Sequence, residues 1–257
     1  VEPTIISMKH IEKIIALGML VFAIGFNLWL YRLEPQASVD PNDNSFQYAL
    51  VDRTNQIWDF ANKNCSKNLA FGICHLAFLI DHWVPNWAEG YNLPFYYSHI
   101  PQIVIVASWR IIQSQISLFQ YYHWVIYLLL SVFPLSVFLS LRIIRLPWLI
   151  AGIGALLASH LSTDGLYGLD PSSFLWRGYG LSSQLFGMIW LPIALAWSWR
   201  FFTQNSKVWP AALFLTLTAM GHLGLGMMAM LSLIPLAIAN PTKQTFLKLL
   251  FLASVVI

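Results

Sequence analysis

Charge is scarce in this chain. It has 14 lysines and arginines and 11 aspartates and glutamates in 257 residues, a formal net charge of +3, and no Lys/Arg-rich run. A nucleic-acid backbone would find no basic patch to bind, so nucleic acid is excluded as a partner. Long polar stretches are equally rare: 58% of the residues are hydrophobic and the mean hydropathy is +0.63. That is more apolar surface than one soluble core needs, and it makes the chain an integral membrane protein whose first partner is the lipid bilayer. No small-residue cleavage site follows the first apolar run, which is also too long for a signal peptide, so the run reads as a retained anchor. Zinc-motif spacing such as HExxH is missing, and no zinc site is expected. There are only two cysteines, Cys65 and Cys74. They form one bridge if their loop faces an oxidising compartment, although a pair is also what chance supplies. The closing run "FLKLLFLASVVI" is short for a span, which reads as the N-terminal part of a longer chain.

Apolar runs of spanning length occupy about 14–31, 121–141, 146–160, 179–199, 208–222 and 223–239, with another starting near 245. The stretch 208–239 is divided at "GHLGLG", because one helix of that length fits a bilayer only with extreme tilt and the glycines permit a tight turn. Lys9, Lys13, Arg142, Arg145, Arg200, Lys207, Lys243 and Lys248 flank these runs on what must then be one side. The positive-inside rule makes that side cytoplasmic. The loops 32–120 and 161–178 then face out, and they carry nine of the 11 acidic residues. The expected fold is an all-α polytopic bundle, a single transmembrane domain with interfacial helices in a long first external loop.

That parity decides how 101–120 is read. As a lone span it would invert every later loop, so it is expected to lie along the outer interface, with Arg110, Gln113 and Ser117 on one stripe and Ile105, Trp109, Ile112 and Ile116 on the other. The segment 68–80 is read the same way, being short for a span. A helix is predicted over about 45–62, with Asn44 and Gln47 at capping-box spacing and Asp43 where a carboxylate favours a helix start. Asp43 alone reads as a cap. Held in a cleft against the membrane, it would serve as a general base or as a ligand to a divalent cation, with Asp40 and Asp52 competing for either role.

The passage "HWVPNWAEGYNLPFYYSHIP", 82–101, has three prolines and no lysine or arginine. Its tryptophans and tyrosines suit an aromatic belt at headgroup depth. His82, Trp87, Glu89, Tyr91 and His99 make it a candidate wall of a cleft whose floor holds Asp43. The topology brings Asp164, Arg177, His123, His160 and His222 to the same side as His82 and His99. One interfacial histidine is usually a cap. Five of them with Arg177 fit anion binding or proton transfer.

Together the anchor, the "DNSFQ" that follows it with Asp43, the passage 82–101, the basic "LRIIR", "LWRGYG" and "GHLGLG" resemble the integral-membrane glycosyltransferases of the GT-C superfamily. The nearest branch is that labelled membrane protein 6-pyruvoyl-tetrahydropterin synthase-related, in which a W-x-P-x-x-x-x-G-Y-x-x-P core recurs. The likeness spans roughly 14–235. It implies a catalytic aspartate in the first external loop, here Asp43, and transfer of a sugar from a polyprenyl-phosphate donor at the outer or lumenal face. It also implies that Arg177 and His222 lie near the donor phosphate. Gln47 stands where a histidine is common in the family, and Gln184 is the nearest polar residue to a glutamate often found after the "RG".

Two rival readings belong to other classes. A lipid or small-molecule transporter needs ionisable groups near mid-bilayer and broken helices in matched halves, and the midspans are almost free of charge. An accessory subunit needs only tight helix packing, for which "GLGMMAM" and "AGIGALLAS" carry small residues.

Overall fold

Hydrocarbon leaves the backbone no water to bond, and the chain answers with helices almost throughout. The structure is a computed structural model that describes residues 2–37, 43–65, 74, 77–79, 83–84, 91–92, 99–112, 115–158, 182–204 and 206–256. Helix α1 runs Glu2–Leu30 and is followed by a 3-10 turn, Glu34–Gln36, and by α2, Asp43–Asn64. Then come α3 (Ile100–Ile112), α4 (Leu118–Ile143), α5 (Trp148–Ala158), α6 (Ser182–Gln204), α7 (Val208–Gly221), α8 (Leu223–Ile238) and α9 (Lys243–Val256). The one sheet among the described residues is a two-residue antiparallel pair, Trp83–Val84 with Tyr91–Asn92.

Three helical stretches are long and apolar enough to cross a membrane: His10–Gln36, Leu118–Ile143 and Ser182–Gln204. The other expected spans are helical but short. The 208–239 run does break as its glycines foretold, at His222, whose backbone is extended between α7 and α8. The halves are 14 and 16 residues, roughly 21 and 24 Å at 1.5 Å per residue, against ~30 Å of hydrocarbon. The described part of the 146–160 run, α5, is 11 residues.

Two further expectations are corrected. The stretch 101–120 is not one helix. Ser117 adopts extended backbone and its hydroxyl accepts from the Gln120 N–H, which caps α4 and ends any continuation from α3. In α3 the face packed against the protein is Pro101, Gln102, Ile105 and Val106, while Ile111 and Ile112 are exposed. Asn44 and Gln47 do not form a capping box either, because α2 starts at Asp43 and both amides are buried against other helices. The predicted helix over 45–62 itself is present.

The packing sorts the chain into two ends. Tyr31, Val51, Ile105, Val106, Leu118, Tyr122, Ile126, Leu130 and Leu185 form one core that joins the end of α1 to α2, α3 and the starts of α4 and α6. At the other end of the spanning helices, Phe201, Phe202, Ala211, Leu233, Ala237 and Leu252 tie the end of α6 to α7, α8 and α9. Small residues allow the close crossings: a Cβ on Gly221 would lie 2.7 Å from the Gly187 backbone nitrogen, and one on Gly226 2.5 Å from the Ala219 Cα. Cations collect at this second end. Lys13 and Arg142 lie 5.2 and 4.1 Å from the Trp148 ring centroid, and Lys248 donates to the carbonyl of Phe201 near the end of α6, where a helix favours positive charge.

Proline inside a spanning helix leaves a carbonyl without its donor. Pro134 in α4 does this to Leu130, and Asn27 of α1 donates its side-chain amide to that carbonyl at 3.1 Å. A neighbouring helix thus re-satisfies the broken ladder. Asn27→Leu is expected to destabilise the protein by about 1–3 kcal/mol, the usual cost of an orphaned buried group. In thermal unfolding, adding Pro134→Ala, which restores the α4 donor, should return most of the loss.

Candidate functional site

The first core carries an unusual load of buried polar groups. On α2 the buried positions are Asn44, Gln47, Leu50, Val51, Thr54, Ile57 and Ala61, a helical period whose first turns are amides instead of aliphatics. On α4 the adjacent Tyr122 and His123 are both buried, and Ser182 begins α6 beside them.

These side chains form two joined groups. The Tyr122 hydroxyl lies 2.8 Å from the Ser182 hydroxyl oxygen and 3.4 Å from the Asn44 carbonyl oxygen. Gln102 of α3 donates its amide to the Gln47 carbonyl oxygen at 3.5 Å. The Gln47 amide nitrogen is buried with no hydrogen-bond partner among the described residues. Next to this neutral node, His123 Nδ1 meets the Glu34 carboxylate at 2.9 Å. Their side chains are 1% and 13% exposed. The rings of Phe119 and Tyr122 stand edge-on to the imidazole at 4.6 and 5.4 Å. The 3-10 turn puts Glu34 there: it carries the chain past the end of α1, where Tyr31 is already buried in the same core.

The rest of α2 is fastened from outside. Arg110 of α3 donates to Asn55 at 2.9 Å and to Asp59 at 2.7 Å, with its guanidinium 5.6 Å from the Trp58 centroid. Asp59 is exposed, so the value of this clamp lies in its several donors fixing the α2 to α3 angle more than in the ion pair. Just past the end of α2, Cys65 and Cys74 form the disulfide, with their Cα atoms 5.8 Å apart.

The sequence-predicted residues fare unequally. Asp43 is the first residue of α2, directly before the node residue Asn44; its side chain lies outside the described ones. His222 comes to the same end of α6: a Cβ added to Gly187 would lie 3.2 Å from its Cβ, and its Nδ1 accepts from the Leu225 N–H as a helix cap. His99, directly before α3, is buried with its Nε2 2.6 Å from the Leu79 carbonyl oxygen. Tyr91 is in the short sheet, opposite Val84. His82, Trp87, Glu89, Asp164 and Arg177 lie outside the described residues, as do His160 and Asp40. Among the described contacts, His99 meets the Leu79 carbonyl, His123 the Glu34 carboxylate and His222 the Leu225 N–H. Among the described residues no group of three or more His, Cys, Asp or Glu is placed to hold a metal ion.

Sequence reasoning missed Glu34, Tyr122, Gln102 and Ser182 as site components. A signal existed for α2 alone, where amides fall on the apolar face at positions 44 and 47. Compared with protein-family models, curated proteins and solved structures, the chain matches none.

Proposed function

We propose that this chain is a membrane-embedded glycosyltransferase of the GT-C kind, which moves a sugar from a polyprenyl-phosphate donor to an acceptor at the outer or lumenal face. The observation that carries the reading is the place where α2 begins. Asp43 leads into a node of buried amides and hydroxyls at one end of the three long helices, while Lys13, Arg142 and Lys248 lie at the other end. Displacement at an anomeric carbon needs a base for the incoming hydroxyl, hydrogen-bonding groups around the sugar and leaving phosphate, and lateral access from lipid. On this reading Asp43 is the base, and the amides and hydroxyls of the node that follows it are the hydrogen-bonding groups. The transporter reading finds less support: the buried polar groups Asn27, Ser131, Ser136, Ser198 and Thr218 are neutral and donate to backbone carbonyls.

The test is transfer of radiolabelled sugar from membrane-extracted polyprenyl-phosphate donors by the full-length protein in lipid. Transfer from one donor class supports the reading, and no transfer from any of them removes it.

The disulfide bears on orientation independently of the positive-inside rule, since such bonds persist in oxidising compartments. After reduction, a membrane-impermeant thiol reagent added outside is expected to label Cys65 and Cys74 in oriented vesicles. Labelling from the cytoplasmic side only would invert the topology. Reduction should also cost about 2–3 kcal/mol of loop stability, given the short loop that the bond closes.

A further inference from the structure

The node that α2 presents is built from neutral groups only. Asn44, Gln47, Gln102, Tyr122 and Ser182 come from four helices, and none is more than 4% exposed. Buried polar side chains in a stable core are ordinarily satisfied. The Gln47 amide nitrogen is not, among the described residues. Among the described residues its carbonyl oxygen has only the 3.5 Å contact from Gln102, at the long limit of a hydrogen bond. An apolar side chain of the same length would avoid the loss, so the amide has a use that packing does not supply.

The chemistry around Gln47 narrows that use. Among its described side chains the node holds no cation for an anion to meet, and Glu34 and His123 beside it already face each other. What the node does offer is three amides, each with donor and acceptor atoms, and two hydroxyls. Beside them stand three rings: Tyr48 lies 4.9 Å from Phe119 and 5.6 Å from Tyr122 between centroids. Amides that donate and accept at once match vicinal hydroxyls, and aromatic faces cover the C–H side of a sugar ring. We infer that Gln47 is a specificity residue that takes a hydroxyl of an uncharged sugar, with the loose Gln102 contact exchanged for it on binding. This rests on the glycosyltransferase reading and adds to it the class of sugar: hydroxyl-bearing and neutral, with uronic acids rejected. A site built to bond a hydroxyl discriminates strongly against ligands that leave its buried groups unpaired.

The test measures thermal unfolding of the full-length protein in nanodiscs with defined probes. These are a short-chain polyprenyl phosphate, the same phosphate carrying glucose, galactose or mannose, the same carrying glucuronic acid, and octyl glucoside, galactoside and mannoside. For the wild type, at least one neutral-sugar ester should raise the melting temperature more than the bare phosphate or the glucuronate ester does. In Gln47→Met that excess should vanish, with at least about tenfold weaker binding of the sugar ester. The shift from bare phosphate should persist, and the ligand-free protein should melt no lower than wild type. Gln47→Asn, which withdraws the amide by one methylene, should act the same way and serves if methionine disturbs the packing.

An excess that survives in both variants, or an equal one from the glucuronate ester, overturns the inference. Such a result would leave the node as a water-filled structural feature. If no phosphate ester shifts the melting temperature, the lipid-linked donor reading fails, and the octyl glycosides decide the node alone. A shift abolished by Gln47→Met keeps the neutral-sugar site, and no shift from any glycoside removes it.

Discussion

Asp43→Asn is expected to lower sugar transfer by roughly 10²–10⁴-fold, the usual range for loss of an essential general base. The amide keeps the size and helix-start preference of the carboxylate, so α2 should still begin in place. The loss should therefore appear in kcat with little change in KM, and the melting temperature should stay near that of wild type. Asp52 supplies the internal comparison. It lies nine residues further along α2, roughly 13 Å from Asp43 along the axis, and its carboxylate accepts from Gln56 at 2.9 Å on the exposed side of the helix. Asp52→Asn should leave transfer within about twofold of wild type, because surface substitutions away from a site rarely matter. Equal rates for Asp43→Asn and wild type would remove Asp43 from the chemistry, whatever the fate of the transferase reading.

The helices were legible in the sequence because hydrophobic run length and punctuation report them directly. "GHLGLG" marked the break now seen at His222, and the run after Asp43 marked α2 to within two residues at each end. Crossing capacity was less legible. A run such as 208–222 has the composition of a span, but its length is decided by where the turn residues fall. The polar node was hidden for a different reason. Asn44 and Gln47 resemble a capping box, and only the neighbouring Tyr122 and Gln102, 78 and 55 residues away in sequence, reveal that they point inward. The same holds for Glu34. It was one acidic residue in a loop until the 3-10 turn set it against a histidine 89 residues later. Local pattern carries the elements, whereas the pairings depend on contacts between helices that no spacing encodes.

The Glu34 and His123 pair predicts an asymmetry between its two deletions. His123→Phe suits the surrounding rings of Phe119 and Tyr122 but leaves a largely buried carboxylate without its partner. Breaking a buried pair in that way typically costs about 3–5 kcal/mol. Glu34→Gln is milder, because the imidazole can remain neutral and the amide oxygen still accepts from Nδ1–H; a cost of about 1 kcal/mol is expected. The double variant Glu34→Gln/His123→Phe should recover most of the His123→Phe loss, since no charge then remains to be buried. Thermal unfolding of the three proteins in lipid measures this directly, and equal costs for the two single changes would mean that the pair is not ionic. The pair also bears on activity. Glu34 sits in the turn that leads from α1 toward the start of α2, so its contact with His123 anchors the chain shortly before Asp43. A base displaced by 1 Å can lose about 10²-fold in rate. His123→Phe should therefore reduce transfer along with stability, and the double variant, which restores stability without restoring the anchor, should remain slow. Recovery of both together would make the pair a matter of folding alone.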